Sequence, residues 1–189
     1  MKTFIVFDLE ATCWERGQEE AQSEIIEIGA VAHRPGEGAG SPLAEFQTFV
    51  HPGLAPRLSD FCTQLTSIRQ SDVDSAPSFP EAIVAFRRWA EPFSPYALAS
   101  WGDYDRRQVA ADCRLHKMAN PFESVPHVNL KALFAAAHCL KKKDGLGQAL
   151  RRLGIAREGT AHRGIDDARN IVRILQAGLE VHLKVVAGE

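Results

Sequence analysis

The stretch Phe4-Ile5-Val6-Phe7-Asp8-Leu9-Glu10-Ala11-Thr12-Cys13 sets a short apolar, β-rich run directly against two acids. Phe4 to Phe7 has the pattern of a buried strand. Side chains alternate along a strand, so Asp8 and Glu10, two apart, share one face. At the C-terminal end of a central strand they stand where α/β proteins place ligands. Two like charges buried together are costly unless a cation joins them. A pair flanked by Phe7 and Leu9 therefore points to a hard cation, Mg2+ or Mn2+. A solvated strand edge would accommodate the same two acids, so the pair alone leaves both readings open.

Working outward, Glu24 to Val31 reads as a second strand, His33 to Pro42 as a turn-rich breaker, and Ala44 to Val50 as a third, half-buried strand. A short helix is expected over Asp60–Leu65 and a longer one over Ser78–Ala90, where Phe79, Ile83, Phe86 and Ala90 recur at helical spacing and Pro80 suits a first turn. Tyr96 to Trp101 gives a fourth strand and Val125 to Val128 a fifth. Helices are expected over Asp105–Lys117, Asn129–His138, Gly147–Leu153 and Ile165–Val186. A three-strand meander followed by strands alternating with helices predicts one mixed-sheet α/β domain.

The remaining composition excludes several classes. At 189 residues, 45% hydrophobic and 24% charged, the chain can build its own core without a staple. With 22 Lys+Arg against 24 Asp+Glu, it is no generic basic nucleic-acid coat, and any grip on phosphate must come from local clusters or a metal. Cys13, Cys62, Cys113 and Cys139 form no C-x-x-C pair, so neither zinc-finger spacing nor a disulfide framework is suggested. No stretch approaches the ~20 apolar residues of a membrane span. The opening apolar run stops at Asp8, short of a signal-peptide core. A cytoplasmic protein with no membrane association is expected.

Two further acidic segments have ambiguous neighbours. In Ser100-Trp101-Gly102-Asp103-Tyr104-Asp105, either acid could cap the following helix. Asp105 lines up with Val109 and Cys113 and so turns toward the core; Asp103 falls off that stripe and is expected to cap. In Ala161-His162-Arg163-Gly164-Ile165-Asp166-Asp167-Ala168, Asp167 lies at the edge of the apolar arc of Ala168, Ile171, Val172, Leu175 and Leu179. Asp166 points to the polar side, where Arg169 and Arg173 are within pairing reach. His162 stands five residues before the inward acid, and imidazole is the side chain that exchanges protons near neutral pH.

Together these positions resemble the DnaQ-like exonucleases of the DEDDh type. The residues that carry the resemblance are Phe7-Asp8-Leu9-Glu10-Ala11-Thr12-Cys13, the acid after the fourth strand, and His162 with Asp167. Ser59-Asp60-Phe61-Cys62-Thr63-Gln64-Leu65-Thr66, Trp101-Gly102-Asp103-Tyr104-Asp105 and His162-Arg163-Gly164-Ile165-Asp166-Asp167 are closer still to the exoribonucleases that trim histone messenger, ribosomal and small interfering RNA, and to bacterial KapD-like proteins. The resemblance implies a ribonuclease-H-like five-stranded mixed sheet flanked by helices, a single exonuclease domain over residues 1–189 with its core about 4–178. It implies Asp8, Glu10, Asp105 and Asp167 as ligands of two Mg2+ or Mn2+ ions and His162 as general base. It also implies a terminal base sandwiched by Phe61, Leu65 and Tyr104, with backbone amides near Glu10 to Thr12 and the Thr12 side chain at the terminal ribose, and Leu9, Ala11 and His162 in the same substrate-binding set. Tyr104 departs from the tryptophan often found there.

The implied activity is 3′–5′ hydrolysis of single-stranded RNA or overhangs to nucleoside 5′-monophosphates, with no appended nucleic-acid-binding domain. The Lys141-Lys142-Lys143 run is a candidate to hold the upstream strand, or a plain solvated face. The competing readings are an exonuclease acting on DNA and a nucleic-acid-binding module that has lost catalysis.

Overall fold

A computed structural model describes residues 3–36, 42–180 and 182–183. Strand β1, Thr3–Ala11, runs up the middle of the sheet and pairs antiparallel with β2, Ile25–His33, and parallel with β4, Tyr96–Ser100. Outside these lie β3, Ala44–Phe49, antiparallel to β2, and β5, His127–Asn129, parallel to β4, giving the order β3-β2-β1-β4-β5. This is the five-stranded mixed α/β sheet expected.

Alternation along β1 sorts the two layers that cover it. Ile5, Phe7 and Leu9 join a core with α3, Phe79–Ala90, and α4, Tyr104–Leu115. Phe4 and Val6 face the other way, into a core with α5, Leu130–Ala137, α6, Leu146–Arg152, and α7, Gly164–Ile174. Asp8 and Glu10 continue the even-numbered face, so pleat geometry alone aims both at the α7 side. A third, smaller cluster of Ile26, Leu58, Cys62, Ile68 and Val73 seats α1, Asp60–Thr66, and α2, Gln70–Asp74, beside β2.

Helix α7 meets the sheet at unusually close range. Asp8 pairs with Gly29 across β1 and β2. A methyl built on Gly29 would stand 2.0 Å from the Ile165 nitrogen, and one on Gly164 would stand 2.8 Å from the Asp8 carbonyl oxygen. Glycine in a strand interior marks such a close backbone approach.

Several boundaries differ from expectation. The helix predicted over Ile165–Val186 is helical through Ile174, then widens into a π turn over Leu175–Leu179, where Gly178 takes a φ of 137°. Glycine adopts that conformation readily, which breaks the run; residues 184–186 lie outside the described residues, as do 37–41 of the predicted turn. Val125 and Pro126 precede β5, and Asn129 both ends that strand and caps α5, its Oδ1 accepting from the Ala132 N–H at 2.9 Å. Helix α2, unexpected from sequence, buries only Val73 and so shows no apolar period.

Candidate active site

Four acids converge from three elements. Asp8 and Glu10 come from the end of β1, Asp105 from the first turn of α4 and Asp167 from the first turn of α7. Glu10, Asp105 and Asp167 are buried, and Asp8 is half-buried. Asp105 is held in place by the Leu9 N–H, which donates to its Oδ1 at 3.1 Å. The stripe Asp105, Val109, Cys113 is buried throughout. His162 is exposed, and its ring, Glu10 and Asp167 each offer a ligand atom within 4.8 Å of one another.

Asp167 is framed by backbone as well as side chains. His162 sits at φ 59°, an uncommon left-handed conformation for a residue with a Cβ, and its N–H donates to Asp167 Oδ2 at 3.3 Å. Asp167 Oδ1 accepts from the Arg157 guanidinium. Beneath them lies Glu27, fully buried on β2 opposite Glu10. It accepts from the Gly164 N–H at 3.0 Å and from Arg163 Nε at 3.1 Å, and so fastens the first turn of α7 to the sheet. An acid at a helix N-terminus takes up otherwise unpaired N–H groups. Glu27 and Arg157 were missed in the sequence. An acid within the apolar run Glu24 to Val31 is a usable signal for Glu27; Arg157 offers none.

The neighbouring acids behave as expected of sites outside the cluster, with one correction. Asp103 occupies the N-cap position of α4 without a side-chain cap; its Oδ2 instead accepts from Asn129 Nδ2 at 2.7 Å. The end of β5 places Asn129 beside it, so its carboxylate is engaged there and not on the helix N–H groups. Asp166 pairs with Arg169 at 3.0 Å and accepts from the Thr160 N–H at 2.8 Å, while Arg173 pairs with Glu158.

The expected base-contacting residues stand clear of the cores. Phe61 and Leu65, one turn apart on α1, are 37% and 38% exposed, and Tyr104 is 49% exposed. Leu9, Ala11 and Thr12 are buried. The Thr12 N–H donates to the Glu24 carbonyl at 2.8 Å and its hydroxyl accepts from the Glu24 N–H at 3.0 Å, which leaves the hydroxyl proton to donate. Lys141, Lys142 and Lys143 are exposed; the Trp101 indole N–H, donating to the Asp144 carbonyl at 3.1 Å, ties their loop to the segment that carries Asp105. A separate cavity of about 460 Å³, lined by Phe7, Arg106, Arg107, Phe122 and His127, includes none of the five site residues.

The electrostatics test whether this donor set suits a cation. Burial, then Asp105 and Asp167, hold Asp8 well above the ordinary carboxylate range. Burial, then Asp167, push Glu10 up to about 8. Burial lifts Asp105 to about 6 even though the Leu9 N–H opposes it. Hard, crowded oxygen donors that resist ionising together fit a divalent ion of the Mg2+ class.

The sign of the pH effect follows. Glu10, raised from 4.5 to about 8, keeps in the folded chain a proton that the unfolded chain has released. Its contribution is full below its unfolded pKa and lost as pH rises through about 8. Relative to Glu10→Gln, the metal-free protein is therefore expected to lose about 2 kcal/mol from about pH 6.5 to 8. Paired thermal melts in chelator check this, and curves that stay parallel would show Glu10 to be well solvated.

Among the described residues, no helix is long and apolar enough to cross a membrane. The family model described as exonuclease (RNase_T) matches residues 5–175. ERI1 exoribonuclease 2 of Xenopus laevis is 31% identical over 191 residues, covering 90% of this chain and 27% of that protein. The 3′-5′ exonuclease Snipper of Drosophila melanogaster is 32% identical over 187 residues, covering 88% and 66%. The chain thus spans about a quarter of the first of these relatives. Among solved structures, the nuclease domain of 3′hExo, a DEDDh family member, bound to rAMP, superposes with a TM-score of 0.87 at 28% identity, covering 95% of this chain and 92% of that one.

Proposed function

Because this chain belongs to the exonuclease family, we propose that it is a metal-dependent 3′–5′ exoribonuclease that releases nucleoside 5′-monophosphates. The observation that carries the reading is the meeting of Glu10, His162 and Asp167, with Asp8 and Asp105 near enough for their charges to act on the same acids, although Asp8 and Asp167 lie about 160 residues apart in the chain. The similar nuclease domain bound to rAMP favours a ribonucleotide over DNA at such a site.

In this reading the four carboxylates hold two ions, Mg2+ or Mn2+. When bound, such a pair offsets the charge that develops on a phosphodiester and favours ionisation of water. The protein's own groups supply the rest. The imidazole of His162, exposed beside Glu10 and Asp167, accepts the attacking water's proton. Phe61, Leu65 and Tyr104 receive the last base on apolar faces that tolerate any sequence, at roughly 1–3 kcal/mol per stacked base. The Thr12 hydroxyl donates to the terminal ribose. Water adds to phosphorus and the bond to the preceding nucleotide's O3′ breaks, so the phosphate departs on the 5′ oxygen of the released nucleotide. The domain over residues 1–189 acts in the cytoplasm on exposed RNA 3′ ends.

Product analysis on matched 5′-labelled RNA and DNA, with and without Mg2+ or Mn2+, tests this. Stepwise shortening of RNA with release of 5′-monophosphates is expected, and His162→Ala should slow it on the order of 10²-fold or more. Internal cuts, or equal turnover in excess chelator, would defeat the proposal. Faster shortening of DNA would move it to the DNA class.

A further inference from the structure

Both oxygens of Asp167 already have partners: Oδ2 takes the His162 N–H, and Oδ1 takes the Arg157 guanidinium. The arginine is not a stray surface cation, since its side chain is 26% exposed and that of Asp167 10%. The loop that delivers it is clamped to α7 on both sides. The Ala156 carbonyl accepts from Arg173 at 2.6 Å. The Glu158 N–H donates to Asn170 Oδ1 at 3.1 Å, and the Glu158 carbonyl accepts from Asn170 Nδ2 at 2.7 Å, with Asn170 fully buried. Further along, Gly159, at φ 70°, lies where a Cβ would come 2.3 Å from the Asp166 carboxyl carbon, and the Thr160 N–H donates to Asp166. One fixed loop therefore presents both Arg157 and His162 to the same carboxylate.

We propose that Arg157 is a resident counter-cation of the active site: it competes with the divalent ion for Asp167 and, once displaced, binds the non-bridging oxygens of the scissile phosphate. The physical logic has two halves. A cluster of four acids is self-repelling, and a guanidinium on one of them lowers that cost without an ion. A phosphate entering beside Asp167 brings negative charge within reach of the same guanidinium, whose planar fork matches two phosphate oxygens. The side chain thus exchanges one anion for another as the site fills. The second half rests on the exonuclease reading; the first does not.

The test has a readout independent of turnover. Mn2+ is titrated calorimetrically into wild type, Arg157→Ala and Arg157→Lys without RNA, with folding checked by circular dichroism melts. Removing a competitor is expected to tighten Mn2+ binding to Arg157→Ala by roughly 5- to 10-fold. A loop that had merely been loosened would weaken it. At saturating Mn2+ and RNA, turnover by Arg157→Ala is expected to fall on the order of 10²-fold. Arg157→Lys keeps the charge and loses the fork, so it should bind Mn2+ as wild type does yet turn over RNA more slowly. Unchanged or weaker Mn2+ binding by Arg157→Ala, or turnover within about twofold of wild type at saturation, overturns the proposal. A wild-type protein that turns over no RNA would sink the exonuclease reading instead, with the calorimetry still reporting on the arginine.

Discussion

Asp8→Asn, Asp105→Asn and Asp167→Asn are each expected to lower RNA turnover by at least about 10⁴-fold, the several kcal/mol that charge stabilisation of a phosphoryl transition state supplies. Asp103→Asn and Asp166→Asn, one or two residues away, are expected to stay within about fivefold of wild type. The contrast rests on what each carboxylate touches. Asp105 is 5% exposed and anchored by Leu9, and Asp167 is 7% exposed beside His162. Asp103 accepts from Asn129, a bond that an asparagine carbonyl can also accept, and the Asp166–Arg169 pair lies at the surface, where such pairs contribute little. Single-turnover rates on a short labelled RNA for all five variants check the ranking. If Asp103→Asn or Asp166→Asn were as damaged as its neighbour, the helical-face assignment would be wrong.

Gly29→Ala should be the most destructive small substitution outside the acids. A methyl there would lie 2.0 Å from the Ile165 nitrogen and 2.1 Å from the Gly164 carbonyl carbon, both backbone, so no side-chain rotation relieves the clash. Either β2 or the start of α7 must move, and Asp167 moves with it. Overpacking of this kind costs at least about 3 kcal/mol, roughly 6–12 °C in Tm. Turnover should fall with it, because Asp8 pairs with Gly29 and faces the displaced helix. Thermal melts with and without Mn2+, and RNA turnover measured well below the melt, separate the two effects. Melting within about 2 °C of wild type would mean that the helix and sheet are less tightly apposed than described.

Local patterns made much of this readable beforehand. The apolar run before Asp8 marks β1, and alternation sends Asp8 and Glu10 to one face. The fourfold spacing of Asp105, Val109 and Cys113 separates Asp105 from Asp103, and the apolar arc of α7 separates Asp167 from Asp166. What escaped depends on contacts between distant segments. Asp103 prefers Asn129 because β5 ends beside it, a fact of strand order rather than of helix propensity. Glu27 fastens α7 from 137 residues away, and Arg157 finds Asp167 only because Asn170 folds the intervening loop back. Helix α2 has a single buried residue and no period to detect, and the end of α7 turned on the backbone freedom of Gly178.

The order in which the acids occur along the chain has a further consequence. Asp8 and Glu10 are made well before Asp167, and the layer over their face of β1, begun by α5 and α6, is incomplete until α7 docks. A nascent polypeptide that has not yet reached residue 167 therefore lacks one of the four clustered carboxylates and part of the layer over the others. On the proposed reading, synthesis itself thus acts as a safety catch, because the site cannot assemble before Asp167 and the helix that carries it have been made.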